Sequence, residues 1–192
     1  MRAVNHIHAD VAGIRDTLNA ADRRLGDGDT GMTIEQVVAA WQALETENTQ
    51  DIGATLIALG RATAKATGSS LGSVLAIGLG AAGRAVRGRP AVDRAGMIAA
   101  LAAAREAIVT RSGAAVGDKT ILDSLAHIER ALAAAADGDD LQAVALRAAE
   151  DAVTEYRDRE SRIGRARMYG ARSAGSDDPG MLAAVLLLRA AR

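Results

Sequence analysis

The 192-residue sequence has no cysteine, no phenylalanine and an aromatic content of 2%. Without cysteine there is neither a disulfide framework nor a thiolate metal site, so any bound metal must be held by oxygen or histidine. The same absence agrees with a reducing compartment. The N-terminus, Met1-Arg2-Ala3-Val4-Asn5-His6, lacks the charged start and apolar core of a signal peptide. No stretch approaches the roughly 20 uncharged apolar residues of a membrane span. A cytoplasmic location and no membrane association are therefore expected. The formal net charge of −1 provides no basic excess, so nucleic acid is not an expected partner. With so few aromatics, the core must be built from alanine, leucine, valine and isoleucine, which suits helices with close axes.

Apolar spacing predicts helices throughout. Ile7, Val11, Ile14 and Leu18 recur at steps of four, three and four, predicting a first helix that ends near Asp22. Ile34, Val37, Val38, Trp41 and Leu44 predict a second, with Thr33 as its N-cap. Further helices are predicted over 51–66, 70–86, 93–111, 119–136, 140–160 and 179–191, with breaks at Gly68, Gly88-Arg89-Pro90, Gly113, Gly138 and Gly164 to Gly180. No period-two strand and no solenoid repeat stand out. The expected fold is a single all-α domain over 1–192, an antiparallel bundle or closed ring of about eight helices.

The glycine-bearing breaks carry the polar chemistry. Asp22 to Gly31 (DRRLGDGDTG) places Asp22, Asp27 and Asp29 within eight residues on a backbone whose glycines resist helix. Such hard oxygen ligands suit Mg²⁺, whose remaining positions go to water and phosphate oxygens. An EF-hand calcium loop does not fit, because the twelfth position is Val38 counted from Asp27 and Ala40 counted from Asp29, not glutamate. The competing reading is a solvated acidic turn balanced by Arg23 and Arg24.

Thr67-Gly68-Ser69-Ser70-Leu71-Gly72-Ser73 precedes an apolar helix, as either a phosphate-receiving helix start or an ordinary N-cap. Gly78-Leu79-Gly80-Ala81-Ala82-Gly83 matches the dinucleotide fingerprint, but no βαβ unit or suitably spaced acid follows. Glycines on one helix face that admit a close neighbour explain it better. Gly117-Asp118-Lys119-Thr120 is not a P-loop, because Asp118 separates the glycine from the lysine. It reads as a helix entrance with Asp118 at the positive dipole end. Most arginines of the C-terminal stretch alternate with Glu155, Asp158 and Glu160, as on a solvated helix face. Arg165 and Arg167 follow Gly164 and fall outside that pattern; a loop arginine beside a phosphate site could clamp nucleotide oxygens. Pro179 reads as the first turn of the last helix and Asp178 as its cap. His6, His8 and His127 lie in helical stretches and read as surface or packing residues.

Taken together, DRRLGDGDTG, GSSLG (68–72), GDKTILD (117–123) and GRARMYGARSAGSDDPG (164–180) resemble the DhaL or DAK2 domain of dihydroxyacetone kinases, in order and over most of the chain. The resemblance implies a barrel of eight antiparallel helices with ADP or ATP at one end, held through two Mg²⁺ ions on Asp22, Asp27 and Asp29. It implies that Thr30, Gly31, Met32 and Thr33, with Ser69 and Ser70, surround the phosphates. Gly113, Ile121, Arg165, Asp178, Pro179 and Gly180 would line the nucleotide pocket. Three departures stand out. Thr30 replaces a histidine common in relatives, Thr33 replaces an asparagine, and Leu71 separates Ser70 from Gly72, which blurs the phosphate-loop register by one residue.

The implied activity is phosphoryl transfer to dihydroxyacetone, or a related small ketose, held on a separate DhaK-type subunit. A DhaM-type phosphocarrier would rephosphorylate permanently bound ADP. The alternatives are an ATP-dependent kinase subunit for another small ketose or polyol, and a non-catalytic nucleotide-sensing adaptor of a transcription regulator. A homodimer is compatible with either. The DAK2-domain fatty acid kinases would require an acyl-binding partner domain that nothing in this chain resembles.

Overall fold

Among the described residues, the apolar spacing is realised as eight α-helices and one 3₁₀ segment. A computed structural model describes residues 2–44 and 50–192. Its helices are α1 (Arg2–Asp22), α2 (Thr30–Gln42), α3 (Ile52–Ala66), α4 (Ser70–Ala85), α5 (Arg94–Ser112), α6 (Ile121–Ala134), α7 (Leu141–Tyr156) and α8 (Pro179–Ala190), with the 3₁₀ segment Arg165–Ser173 before α8. No strand occurs among the described residues. Each helix packs on its neighbours in sequence, and α8 packs on α1, closing an antiparallel barrel. None of the described helices is long and apolar enough to cross a membrane.

Three apolar clusters hold the ring. The first joins α1, α2, α3 and α8 through Ile7, Ile14, Leu18, Ile34, Val37, Val38, Leu59 and Ala183. Leu18, Val37 and Val38 are fully buried, each stabilising the fold by roughly 1.5–3 kcal/mol. Trp41 is tied in by its indole N–H, which donates to Thr63 Oγ1 at 2.8 Å and Leu59 O at 3.2 Å. The second cluster joins α6, α7 and α8 through Ile128, Leu132, Leu146, Ala149, Met181 and Val185. The third, Ile108, Ala114 and Leu122 with Val74 and Ile163 against them, lies at one end of the barrel.

Several boundaries differ from the sequence-based expectation for identifiable reasons. α2 starts at Thr30 with Asp29 at the cap position, so Thr33 is not the cap but lies one turn inside. The N–H groups of Asp29 and Thr30 donate to Asp22 Oδ2, at 3.0 and 3.2 Å, so a distant carboxylate supplies the cap. α6 starts at Ile121, not 119, because Lys119 has a φ of 62° and Thr120 is the cap. Asp118 lies outside that helix, accepting from the Ala115 N–H at 2.8 Å. α7 ends at Tyr156, not 160, and half of the expected glycine-rich break is 3₁₀ helix. The GxGxxG glycines do not share one face. A Cβ on Gly78 would meet Ile108 of α5, whereas one on Gly83 would fall 2.6 Å from Gly53 O of α3. They let α4 approach both neighbours, which accounts for the match without a dinucleotide.

Candidate functional site

In an antiparallel ring the even-numbered helices all begin at the same end. The N-cap residues of α2, α4, α6 and α8 are Asp29, Ser69, Thr120 and Asp178, and all four line one cavity of about 380 Å³. Four positive dipole ends, each with unsatisfied N–H groups, therefore meet at that cavity, an arrangement suited to a polyanion. Its floor is the third apolar cluster, with Val74, Ile108, Ala114, Leu122 and Ile163 among the lining residues.

At the mouth, carboxylate oxygens of Asp22, Asp27 and Asp29 lie within 4.8 Å of one another. Asp22 is buried at the end of α1, whereas Asp27 and Asp29 are exposed. The division of labour among them is chemical. Asp22 Oδ2 accepts the N–H groups of Asp29 and Thr30, and Asn19 Oδ1 accepts that of Gly31, the second residue of α2 and a usual partner of an N-cap side chain. The Asp29 side chain makes no cap hydrogen bond, unlike Asp51, Asp93, Asp140 and Asp178 at the caps of α3, α5, α7 and α8. Asp29 thus keeps its carboxylate for the cavity. An all-oxygen set of three clustered carboxylates fits Mg²⁺. The Arg165 guanidinium forms an ion pair with Asp27 from the opposite wall. Close approach of α1 and α2 shapes this corner: Gly31 N–H donates to Asn19 Oδ1 at 2.8 Å, and a Cβ on Gly31 would lie 2.1 Å from Arg15 O.

Of the residues expected from sequence, Asp22, Asp27, Asp29, Thr30, Thr33, Ser69, Ser70, Ile121, Arg165, Asp178, Pro179 and Gly180 line the cavity. Gly31, Met32 and Gly113 are not among its lining residues. Thr30 and Thr33 are one helical turn apart and face it, which turns Gly31 toward α1 and leaves Met32 exposed. Gly113 is the left-handed C-cap of α5, with a φ of 70°, and its neighbours Ser112 and Ala114 face the cavity instead. Ser69 Oγ accepts from Gly72 N–H at 3.0 Å as an N-cap, leaving its O–H to donate elsewhere.

Sequence reasoning missed the apolar floor, drawn from four separated segments, and it missed Lys119 and Asp123. Asp123 is fully buried. It accepts from Gly117 N–H at 2.6 Å and Thr120 N–H at 2.7 Å, the latter within a capping box. The Thr-x-x-Asp spacing was the available signal, related to the familiar Thr-x-x-Glu. Burial and the Asp123 carboxylate hold the Tyr156 phenol above its usual pKa. Lys119 is also fully buried, and its ammonium donates to Arg157 O, Arg159 O and Ser173 O, each at 2.8 Å. Burial lowers its pKa, opposed by Asp178, Asp177 and Asp158. Burial pushes Asp178 up to about 6, against hydrogen bonds from Met181 and Gly180 N–H and the charge of Lys119. His127 packs edge-on against Tyr156, with ring centroids 6.1 Å apart, away from the cavity lining.

The model of the DAK2 domain matches residues 24–192. The chain belongs to the DAK2 domain family. This DAK2 domain is 34% identical over 179 residues to an L-erythrulose 1-kinase of Mycolicibacterium smegmatis, covering 90% of this chain and 31% of that one. It is 32% identical over 186 residues to the human triokinase/FMN cyclase, covering 94% of this chain and 32% of the other. The chain thus spans about a third of the length of these relatives. In fold it is similar to the dihydroxyacetone kinase of C. freundii in complex with AMP-PNP and Mg²⁺, with a TM-score of 0.71 and 23% identity over 98% of this chain and 32% of that one.

Proposed function

We propose that this DAK2 domain is the nucleotide- and magnesium-binding part of a kinase for a small ketose such as dihydroxyacetone, which is held on a separate DhaK-type subunit or domain. The observation that carries this reading is the meeting of four helix N-termini and three clustered carboxylates around one apolar-floored cavity. Helix N-termini attract phosphates, the floor takes an uncharged heterocycle, and the carboxylates take the cation that a nucleotide brings.

Asp22, Asp27 and Asp29 would hold the metal, in the expected stoichiometry of two Mg²⁺. When bound, Mg²⁺ supplies charge neutralisation on the phosphate oxygens. The protein's own part is positioning, which dominates phosphoryl transfer. Thr30, Thr33, Ser69 and Ser70 would donate hydroxyl hydrogens to phosphate oxygens. Ile121, Pro179 and Gly180 would pack beside the nucleoside, and Arg165 would neutralise phosphate charge. No general base is required of this chain, because the ketose is activated on its own subunit.

In the first reading the nucleotide is a resident ADP rephosphorylated by a DhaM-type phosphocarrier. The second has a specific observation in its favour: the similar proteins include an L-erythrulose 1-kinase and a D-erythrulose kinase of Mycolicibacterium smegmatis, in which the matching segment is about a third of a longer chain. That relationship supports a kinase for a four-carbon ketose, for which the second reading takes ATP as the donor. A nucleotide-sensing adaptor would use the same cavity without transfer.

Calorimetric titration of ADP and ATP, with and without Mg²⁺, tests the common core. Mg²⁺-dependent binding that an Asp27→Ala/Asp29→Ala double variant loses supports it, and absence of binding by folded wild-type protein rules it out. Mixing with a DhaK-type partner then separates the readings. Dihydroxyacetone phosphorylation from a phosphocarrier supports the first, erythrulose phosphorylation from ATP the second, and binding without transfer to either ketose the adaptor.

A further inference from the structure

Lys119 is not among the residues lining the cavity, yet it joins two of the loops that form its wall. It is 1% exposed and has a left-handed φ of 62°, a conformation that L side chains other than asparagine and aspartate seldom adopt. Its three carbonyl partners come from both ends of the α7–α8 connection: Arg157 and Arg159 just beyond α7, and Ser173 at the end of the 3₁₀ segment. An ammonium has three N–H donors and a neutral amine two, so three acceptors at 2.8 Å require the charged form and saturate it.

Around this atom the backbone closes further. Gly175 N–H donates to Arg157 O at 2.9 Å, and Arg162 N–H donates to Asp118 O at 3.1 Å. Ser161 N–H donates to Ser173 Oγ at 2.9 Å. The segment thus cinched carries Gly164, Arg165 and Ala166 into the cavity wall. On its other side Lys119 adjoins Thr120, the cap of α6.

We propose that Lys119 is a positioning residue for the nucleotide site: through three backbone carbonyls it holds the Arg165 loop over the Asp22, Asp27 and Asp29 cluster. This rests on the nucleotide–metal reading given above. Lys119 does not itself touch the ligand. Its ammonium is consumed by carbonyls, unlike a phosphate-binding lysine, which must present free N–H groups.

The test is calorimetric titration of ADP with Mg²⁺ into the whole chain as wild type, Lys119→Met, Arg165→Ala and the double variant. Lys119→Met keeps the apolar stem and removes the charge. Its affinity should fall about 10–100-fold, as expected for a displaced clamp. Because Lys119 acts through Arg165, the double variant should be no weaker than the weaker single variant, a non-additivity that two unrelated defects would not give. Hydrogen exchange should accelerate in 157–175 and not in α1 or α2. Since the chain has no cysteine, Lys119→Cys can be aminoethylated while unfolded and refolded, and restoring the ammonium in this way should restore affinity. Undiminished binding by folded Lys119→Met, or additive losses in the double variant, would overturn the proposal alone. So would failure of both the Met and the unalkylated Cys variants to fold, since the residue would then serve the whole barrel. No binding by the wild type would remove the site reading and this inference with it.

Discussion

The guanidinium of Arg165 and the carboxylate of Asp27 face each other across the mouth of the cavity and form an ion pair. One comes from the loop after α7 and the other from the loop after α1, so this contact closes the polar side of the pocket. Arg165 stands where a metal ion would compete for the same oxygens. Arg165→Ala should therefore strengthen binding of Mg²⁺ alone while weakening binding of ADP with Mg²⁺. Both side chains are half exposed, so the gain for the bare ion is limited to about 1 kcal/mol, roughly fivefold in affinity. Titration of Mg²⁺ with and without ADP measures both signs.

Asp29 and Asp178 occupy equivalent helix-cap positions with opposite employment. Asp29 makes no cap hydrogen bond, whereas Asp178 Oδ1 accepts from Met181 N–H at 2.9 Å. Asp29→Ala should leave metal-free stability within about 0.5 kcal/mol of wild type and abolish tight Mg²⁺ binding. Asp178→Ala should cost about 1 kcal/mol through loss of the cap. Urea unfolding of the two variants without metal makes the comparison.

The pKa of Asp178 gives a pH dependence. Burial raises it from 3.8 to about 6 in the folded protein, so between those values the native state binds the proton and the unfolded chain does not. Stability contributed by this group is complete below pH 3.8 and declines as pH rises to about 6. Other carboxylates add their own slopes, so the measurement is a difference. Relative to Asp178→Asn, which retains a capping oxygen, wild type should lose stability from pH 4 to pH 6 and then run parallel. A constant difference across that range would contradict the assignment.

Gly31 sits where α1 and α2 approach most closely, and a Cβ there would press on the Arg15 carbonyl, a backbone atom that cannot swing away. Gly31→Ala should destabilise by about 1–3 kcal/mol. Because α2 carries Asp29 at its start and α1 carries Asp22 at its end, spreading the pair should also disperse the carboxylates. Weakened Mg²⁺ binding in a variant that still folds is the expected outcome, measured by calorimetry beside thermal unfolding.

Much of this was legible along the chain because helical periodicity is local. The four-three spacing of Ile7, Val11, Ile14 and Leu18 marks α1, and Asp178-Pro179 marks the start of α8 to the residue. The three aspartates could be seen as a cluster because they lie within eight residues. The start of α2 was misplaced because its cap comes from Asp22, seven residues before Asp29, across a turn that propensity does not describe. The end of α7 is not legible because the carbonyls of Arg157 and Arg159, where the pattern continues the helix, bind a lysine 38 and 40 residues earlier.

The amino-acid sequence by itself determined the helices, the aliphatic core without disulfides, and the grouping of glycines and aspartates at particular loops, since each depends on residues within a turn or two of one another. Only the tertiary structure decided that the loops α1–α2, α3–α4, α5–α6 and α7–α8 share one end. The reason is topological: in a closed antiparallel ring alternate connections fall on the same side, so four helix N-termini, an apolar floor and three carboxylates meet although no single segment contains them.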